Sequence, residues 1–275
     1  GYIALSSLDR VTVTALAAGK AQQLPGVRGK RGALPLLRFL QRLRAGIVVP
    51  NANPAAEPEL RQLLPETVAL HASRLPVMPG MTLQQRNAAY IPAYPAALAG
   101  FGELKLDAAC VTITGPSYAL SPADDAALQA RLSEAQACPV VLASRAIMDA
   151  LRHLGMGRVA LFSPYPGWLT DRAETYWRAA GLEVVQVFKV SETFRAYELT
   201  PAEVIEALSR MNPPAGTAVI MSGTGMASLD ALAEMAPRMT QPLLPSNLCT
   251  AWALLQALEV RPPPIWKTVA PKLAK

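Results

Sequence analysis

The chain is 275 residues long and 51% hydrophobic, ample for a buried core, and no apolar run of membrane-spanning length is free of charge or proline, which argues against a transmembrane helix. Its formal charge of +6 divides unevenly: Arg10, Lys20, Arg28, Lys30, Arg31, Arg38, Arg42 and Arg44 stand against Asp9 alone in residues 1–44, residues 260–275 add four more cations, and the stretch between keeps 14 basic against 19 acidic residues. Cys110, Cys138 and Cys249 are scattered, and His71 and His153 form no HExxH or Cys/His grouping, which sets aside a disulfide framework and a zinc site.

In chain order, residues 1–44 read as a basic N-terminal extension. Such an arm can meet nucleic acid or acidic lipid, but the body behind it is acidic, so nucleic acid is set aside as a partner. Its Arg-rich, acid-poor composition also resembles a transit peptide, a likeness given no weight here. From Ala45 onwards apolar runs that read as buried parallel strands alternate with amphipathic segments that read as helices. The expected strands are Gly46–Val49, Thr67–His71, Ala108–Ile113, Val140–Leu142, Val159–Phe162, Glu183–Phe188, Ala218–Met221 and Pro242–Pro245. The expected helices are Glu57–Leu64, Leu83–Ala99, Ala123–Ala135, Ser144–Leu154, Thr170–Ala180, Pro201–Met211, Ser228–Ala236 and Thr250–Leu258. Thr200-Pro201-Ala202-Glu203 has the form of a capping box, and Gly181 that of a C-terminal cap.

This alternation implies an α/β fold with mostly parallel sheets and ligands at the carboxyl ends of the strands. Two similar halves can be traced. Each opens with a strand and a Pro-containing loop, Val49-Pro50-Asn51 and Ser163-Pro164-Tyr165, and each later has a strand ending in a small polar loop. The expectation is two pseudo-symmetric lobes with a ligand cleft between them. Residues 45–145, joined by 246–275, form the first and 146–245 the second.

The loops Thr114-Gly115-Pro116-Ser117-Tyr118 and Ser222-Gly223-Thr224-Gly225 are the candidates for chemistry. Backbone N–H groups at such turns, backed by a helix N-terminus, suit a carboxylate or phosphate, although tight βα turns are common for structural reasons alone. Gly223-Thr224-Gly225-Met226-Ala227-Ser228 lacks the third glycine and the ribose-binding acid of a dinucleotide fingerprint, and Gly29-Lys30 lacks the context of a P-loop.

Gly46-Ile47-Val48-Val49-Pro50-Asn51-Ala52-Asn53, Phe162-Ser163-Pro164-Tyr165 and Pro245-Ser246-Asn247, in that order and spacing, resemble segments of the aspartate/glutamate racemase superfamily, in its maleate isomerase and arylmalonate decarboxylase branch. The resemblance implies a cofactor-independent protein that acts on a small carboxylate or dicarboxylate, while the scattered cysteines fit reduced thiols in a cytoplasmic protein and the sparse histidines argue against a metal. The likeness assigns substrate contacts to Asn53 and Tyr165. It also places a cysteine after one strand of each lobe, where the pair flanks the substrate for two-sided proton transfer. Here the first motif reads Ile113-Thr114-Gly115-Pro116-Ser117-Tyr118, which puts Ile113 at the cysteine position, and the second reads Ser222-Gly223-Thr224-Gly225, with Gly223 there. Cys110 lies three residues before Ile113 and, by strand alternation, on the opposite face, so a buried structural thiol is expected. A shifted register would instead make it the single catalytic cysteine.

The expected site is therefore Asn53, Ile113, Thr114, Gly115, Ser117, Tyr165, Ser222, Gly223 and Thr224 around the ligand, with Tyr165, or Cys110 in the shifted register, as proton donor. Two readings stand. One is a decarboxylase, lyase or isomerase that stabilises an enediolate in an oxyanion-type pocket. The other is a catalytically silent carboxylate-binding protein of sensory or regulatory use. Homo-oligomerisation is left open.

Overall fold

In a computed structural model of the protein, residues 42–274 are described throughout, preceded by the backbone of four short strands. Among these, β1 (Arg10–Val11) pairs antiparallel with β4 (Val27–Arg28), and β2 (Thr14–Ala17) with β3 (Lys20–Gln23). The rest of the basic extension expected over 1–44 lies outside the described residues. By its contacts the chain separates into one unit of residues 1–43 with 66–69 and another of 44–65 with 70–275. The second unit carries the site.

From Leu43 onward the strands are β5 (Leu43–Val49), β6 (Val68–Arg74), β7 (Ala108–Val111), β8 (Val140–Leu142), β9 (Arg158–Ser163), β10 (Glu183–Lys189), β11 (Ala218–Met221) and β12 (Leu243–Pro245). They form two four-stranded sheets, ordered β6-β5-β7-β8 and β10-β9-β11-β12. β7 pairs in parallel with β5 and β8, and every pairing of the second sheet is parallel. The central strands are fully buried continuous apolar runs, Ala-Ala-Cys-Val in β7 and Ala-Val-Ile-Met in β11, as a sheet covered on both faces requires. In each sheet the spatial order is second, first, third, fourth, so the order reverses between β5 and β7 and again between β9 and β11. A crevice opens at the carboxyl ends of strands at such a switch point. Here the segments leaving β5, β7, β9 and β11 carry Asn53, Thr112–Gly115, Pro164–Tyr165 and Ser222–Gly225.

Helices flank the sheets: α1 (Ala56–Leu63), α2 (Leu83–Ala99), α3 (Pro122–Gln136), α4 (Ala143–His153), α5 (Gly167–Ala179), α6 (Pro201–Arg210), α7 (Leu229–Met235), α8 (Ser246–Ala257) and the short α9 (Trp266–Val269), with a 3-10 turn over Gly115–Ala119. The anticipated capping box of α6 is present: Thr200 Oγ1 accepts from the Glu203 amide while the Glu203 carboxylate accepts from the Thr200 amide. A second box, Thr82 with Gln85, opens α2, whose strong start coexists with Pro92 and Pro95 inside it.

Several boundaries differ from the sequence reading, and side-chain bonding explains them. β7 ends at Val111, not Ile113, because Thr112 turns both its amide (2.8 Å) and its hydroxyl (2.9 Å) onto the Val48 carbonyl and closes the ladder. α5 starts at Gly167, not Thr170: the Thr170 hydroxyl is buried against Ser163 Oγ (2.7 Å) and donates to the Tyr165 carbonyl (3.2 Å), so it does not cap the helix. α8 begins at Ser246, straight after β12, four residues earlier than Thr250. α9 was not anticipated at all. Trp266, fully buried, anchors it by donating from Nε1 to the Leu63 carbonyl at 2.8 Å.

Candidate functional site

The two switch-point loops meet. Thr114 Oγ1, beyond β7, shares a 2.7 Å hydrogen bond with the Tyr165 hydroxyl from beyond β9, and the Gly223 amide from beyond β11 donates to the same Thr114 oxygen at 3.3 Å. Thr224 donates to the Thr112 carbonyl at 2.7 Å and accepts from Asn53 Nδ2 at 3.0 Å. Asn53 in turn caps α1: its Oδ1 accepts from the amides of Ala55 (3.0 Å) and Ala56 (2.9 Å). Four segments from two sheets thus converge on one hydrogen-bonded knot.

Over this knot lies a cavity of about 30 Å³, above the ~10–15 Å³ that a single water needs. Of the residues expected at the site, Ile113, Thr114, Gly115, Tyr165, Gly223 and Thr224 line it. Asn53 stands one bond behind Thr224. Ser222 is also behind the wall, its hydroxyl 2.7 Å from that of Tyr118, and Ser117 Oγ lies 3.0 Å from Ser144 Oγ, whose proton goes to Asp125. Cys110 does not reach the cavity. It lies inside β7 between Ile47 and Val141, fully buried, and burial pushes its thiol well above the usual range. Cys249 and Cys138 are also buried and raised.

The remaining wall was missed by the sequence reading. Leu83, Arg86, Asn87 and Tyr90 come from α2, and Phe194, Ala196 and Tyr197 from the loop after β10. Phe194 stacks on Tyr165 with ring centroids 6.2 Å apart and planes 6° from parallel, and Tyr197 packs edge-on against Phe194 at 5.2 Å. The Tyr197 ring also sits on Gly225, where any Cβ would come within 2.2 Å of it. A signal for these residues was faint: two aromatics in a Ser/Thr/Glu-rich loop, and an asparagine inside a helix, where its propensity is poor.

Charge in the cavity is one-sided. Among the described residues Arg86 is its only ionised side chain, and no carboxylate of theirs lines it. Burial raises the Tyr165 phenol well above 10, with the neighbouring Tyr118 adding to the shift and the Thr114 bond opposing it. Burial also takes Tyr197 up to about 12, the effect of Tyr90 reinforcing it and Arg86 opposing it. Both phenols are therefore neutral donors at pH 7. Among the described residues no cluster of His, Cys, Asp or Glu could hold a metal, and no helix is long and apolar enough to cross a membrane.

Each loop rests on a buried acid. Behind the second, Glu59 of α1 accepts from the Ser228 amide (2.5 Å), the Leu229 amide (2.7 Å), Ser228 Oγ (3.0 Å) and Asn247 Nδ2 (2.6 Å). It thereby caps α7 in place of a local side chain. Burial raises the Glu59 carboxyl, and these four donors oppose the shift. Behind the first loop, Asp125 Oδ2 accepts from Ser144 (2.6 Å) and Tyr176 (2.7 Å), while Oδ1 has no partner.

Comparison with known proteins places this geometry. The model of the family described as arylmalonate decarboxylase matches residues 45–264. A maleate isomerase of Geobacillus stearothermophilus is 26% identical over 236 residues, 79% of this chain and 92% of that one. The arylmalonate decarboxylase of Bordetella bronchiseptica is 27% identical over 160 residues, 54% of this chain and 64% of that one. A solved Nocardia farcinica maleate cis-trans isomerase, a serine-for-cysteine variant with a covalently bound succinylcysteine intermediate, superposes with a TM-score of 0.74 at 18% identity, covering 84% of this chain and 98% of that one. At that identity the likeness speaks for the fold: two sheets of four strands flanked by helices.

Proposed function

The chain belongs to the arylmalonate decarboxylase family, and from that premise we propose that its cleft holds a small carboxylate or dicarboxylate and, without a cofactor, carries a decarboxylation, lyase or isomerisation step through an enediolate. The observation that supports this best is the knot of donors at Thr114, Tyr165 and Gly223, with the hydroxyls 2.7 Å apart. Donors held in fixed positions stabilise charge as it develops on a carboxylate, the device of an oxyanion hole. Loss of carbon dioxide leaves its electron pair in the enediolate. The Tyr165 hydroxyl then gives its proton to the α-carbon and is reprotonated by water. A phenol raised well above 10 by burial stays protonated for that task.

Thiol routes are not proposed. In the Nocardia isomerase the intermediate is a succinylcysteine, whereas no cysteine lines this cavity. Ile113 and Gly223, the residues on its wall at the motif positions, can neither attack carbon nor exchange a proton. That same observation favours a second reading, a silent carboxylate-binding protein. Under either reading, residues 45–145 with 246–275 would form one lobe and 146–245 the other. Packing of α8 on α1, β7 and β8 supports that return of the chain. The unpaired cysteines support a reducing, cytoplasmic setting.

Proton NMR in D₂O with phenylmalonate, methylphenylmalonate, maleate, aspartate and glutamate tests the proposal. Turnover or α-deuteration of at least one compound is expected, lowered on the order of 100-fold by Tyr165→Phe. Line-broadening of a ligand without turnover would move the conclusion to the binding protein. Neither turnover nor broadening would overturn both readings.

A further inference from the structure

Glu59 is an anion held in the interior without a cation. It is 6% exposed, and no ion pair among the described residues includes it. Burying an unpaired charge is costly. Capping α7 does not account for it, because a neutral serine or asparagine oxygen caps a helix as well. The second carboxylate oxygen does. Oε1 takes the Ser228 and Leu229 amides at the start of α7, and Oε2 takes Asn247 Nδ2 of α8 at 2.6 Å. A glutamine there offers one acceptor and one donor and cannot serve both sides. The same Nδ2 gives its other proton to the Thr224 carbonyl at 2.9 Å. Asn247 Oδ1 has no partner, so these two bonds alone decide which way the amide points. The chain Glu59–Asn247–Thr224 thus runs acceptor, double donor, acceptor, and only a carboxylate at its head supports that order.

Thr224 is held twice by α1. Asn53, which caps that helix, donates to Thr224 Oγ1 at 3.0 Å, and Glu59 within it orients the amide that holds the Thr224 carbonyl. Just before Thr224 stands Gly223, with φ of +96° and no side chain to anchor it, and its amide donates to Thr114 Oγ1 in the cavity wall. The direction of that amide is therefore set by its neighbours in the chain. We propose that Glu59, acting through Asn247, is a positioning residue: it fixes the Thr224 carbonyl and thereby aims the Gly223 amide at the place where charge develops on the ligand. The inference rests on the oxyanion-hole reading of the cavity and adds to it the buried group that aims one of its donors. Glu59 itself touches no ligand. Orientation of this kind is felt in the transition state, so its loss falls on kcat and not on KM.

Steady-state turnover of phenylmalonate, methylphenylmalonate and maleate by the full chain, followed by proton NMR below the melting temperature of every variant, tests this. Glu59→Gln keeps an acceptor for the α7 amides but turns a donor towards Asn247, which breaks the link to Thr224 and spares the cap. Glu59→Gln and Asn247→Ala are each expected to lower kcat about 10- to 100-fold, with KM within about threefold of wild type. The double variant should be no slower than the slower single one, because both changes interrupt one chain. Leu132→Ala opens the core around Val140 and Leu142 and touches none of these bonds, so it should lose stability yet keep kcat within about twofold. Wild-type kcat in folded Glu59→Gln, an equal loss in Leu132→Ala, or additive losses in the double variant would reduce Glu59 to a structural role and leave the carboxylate reading standing. If Glu59→Gln does not fold, Asn247→Ala decides on the same criteria. Absence of turnover of every compound by wild type would overturn the reaction and this inference together.

Discussion

The loop after β7 and the loop after β11 face one another, yet they are built on different supports. The first stands on Asp125, which receives two hydroxyl bonds on one oxygen and none on the other. The second stands on Glu59, whose oxygens receive two backbone amides, a serine hydroxyl and an asparagine amide from α7 and α8. Their central residues differ in the same sense. Ile113 has an ordinary backbone and presents a branched side chain to the cavity, whereas Gly223 has φ of +96° and presents nothing. One loop is shaped by what fills it, the other by how its backbone is held.

The sharpest way to break this comparison is to remove the supports. Glu59→Ala strands the Ser228 and Leu229 amides in the interior and leaves Asn247 Nδ2 only its bond to the Thr224 carbonyl, and about 3 kcal/mol of stability is expected to disappear in urea denaturation. Asp125→Asn keeps an acceptor for Ser144 and Tyr176, and its new amide falls where Asp125 Oδ1 has no partner, so about 1 kcal/mol is expected. Equal losses would erase the distinction between the loops.

Next come the cavity-facing positions themselves. Gly223→Cys forces a side chain onto a left-handed backbone, with its Cβ 3.0 Å from Pro164 Cγ and 3.5 Å from the Tyr165 hydroxyl, and should cost about 1–2 kcal/mol in thermal unfolding. Ile113→Cys needs no backbone change. It should give the protein its one readily alkylated thiol, read by mass spectrometry against the unreactive background of three buried cysteines. Alkylation of wild type at a comparable rate would contradict the burial of Cys110, Cys138 and Cys249.

The smallest effect is expected outside both loops, in the segment that carries Phe194 and Tyr197. Glu203, held down to about 2 by the amide and hydroxyl of Thr200 and by Arg195, joins that segment to α6. A carboxyl depressed in the folded state contributes stability that is present above its unfolded pKa of 4.5 and is lost as pH falls towards 2. The difference in melting temperature between wild type and Glu203→Gln should therefore shrink steadily from pH 5 to pH 2. A constant difference would show that Glu203 acts without its charge.

What the sequence disclosed follows the range of the forces involved. Strands such as β8 and β11 and the helix α2 could be read residue for residue, because apolar runs, capping boxes and periodicity are local. Thr114, Gly115, Gly223 and Thr224 could be anticipated on the wall because they lie in small polar loops just beyond strand ends, and Ile113 and Tyr165 because the segments they sit in resemble those of the family. Arg86, Asn87 and Tyr197 could not: nothing within a few residues of Asn87 indicates that Gly115 will lie against its amide. The bridge from Glu59 to Ser228 spans 169 positions and has no local trace. The helix expected from Thr170 starts instead at Gly167, because the Thr170 hydroxyl is taken by Ser163 and the Tyr165 carbonyl and not by the helix's own amides.

The seat of Tyr197 on Gly225 ties the segment after β10 to the loop after β11 by shape alone. A methyl group at position 225 would fall within 2.2 Å of the ring, so Gly225→Ala is accommodated only by moving that segment away from the loop. Ring and glycine are therefore a matched pair, and a change at either one alters the wall that the cavity shares with a groove outside it.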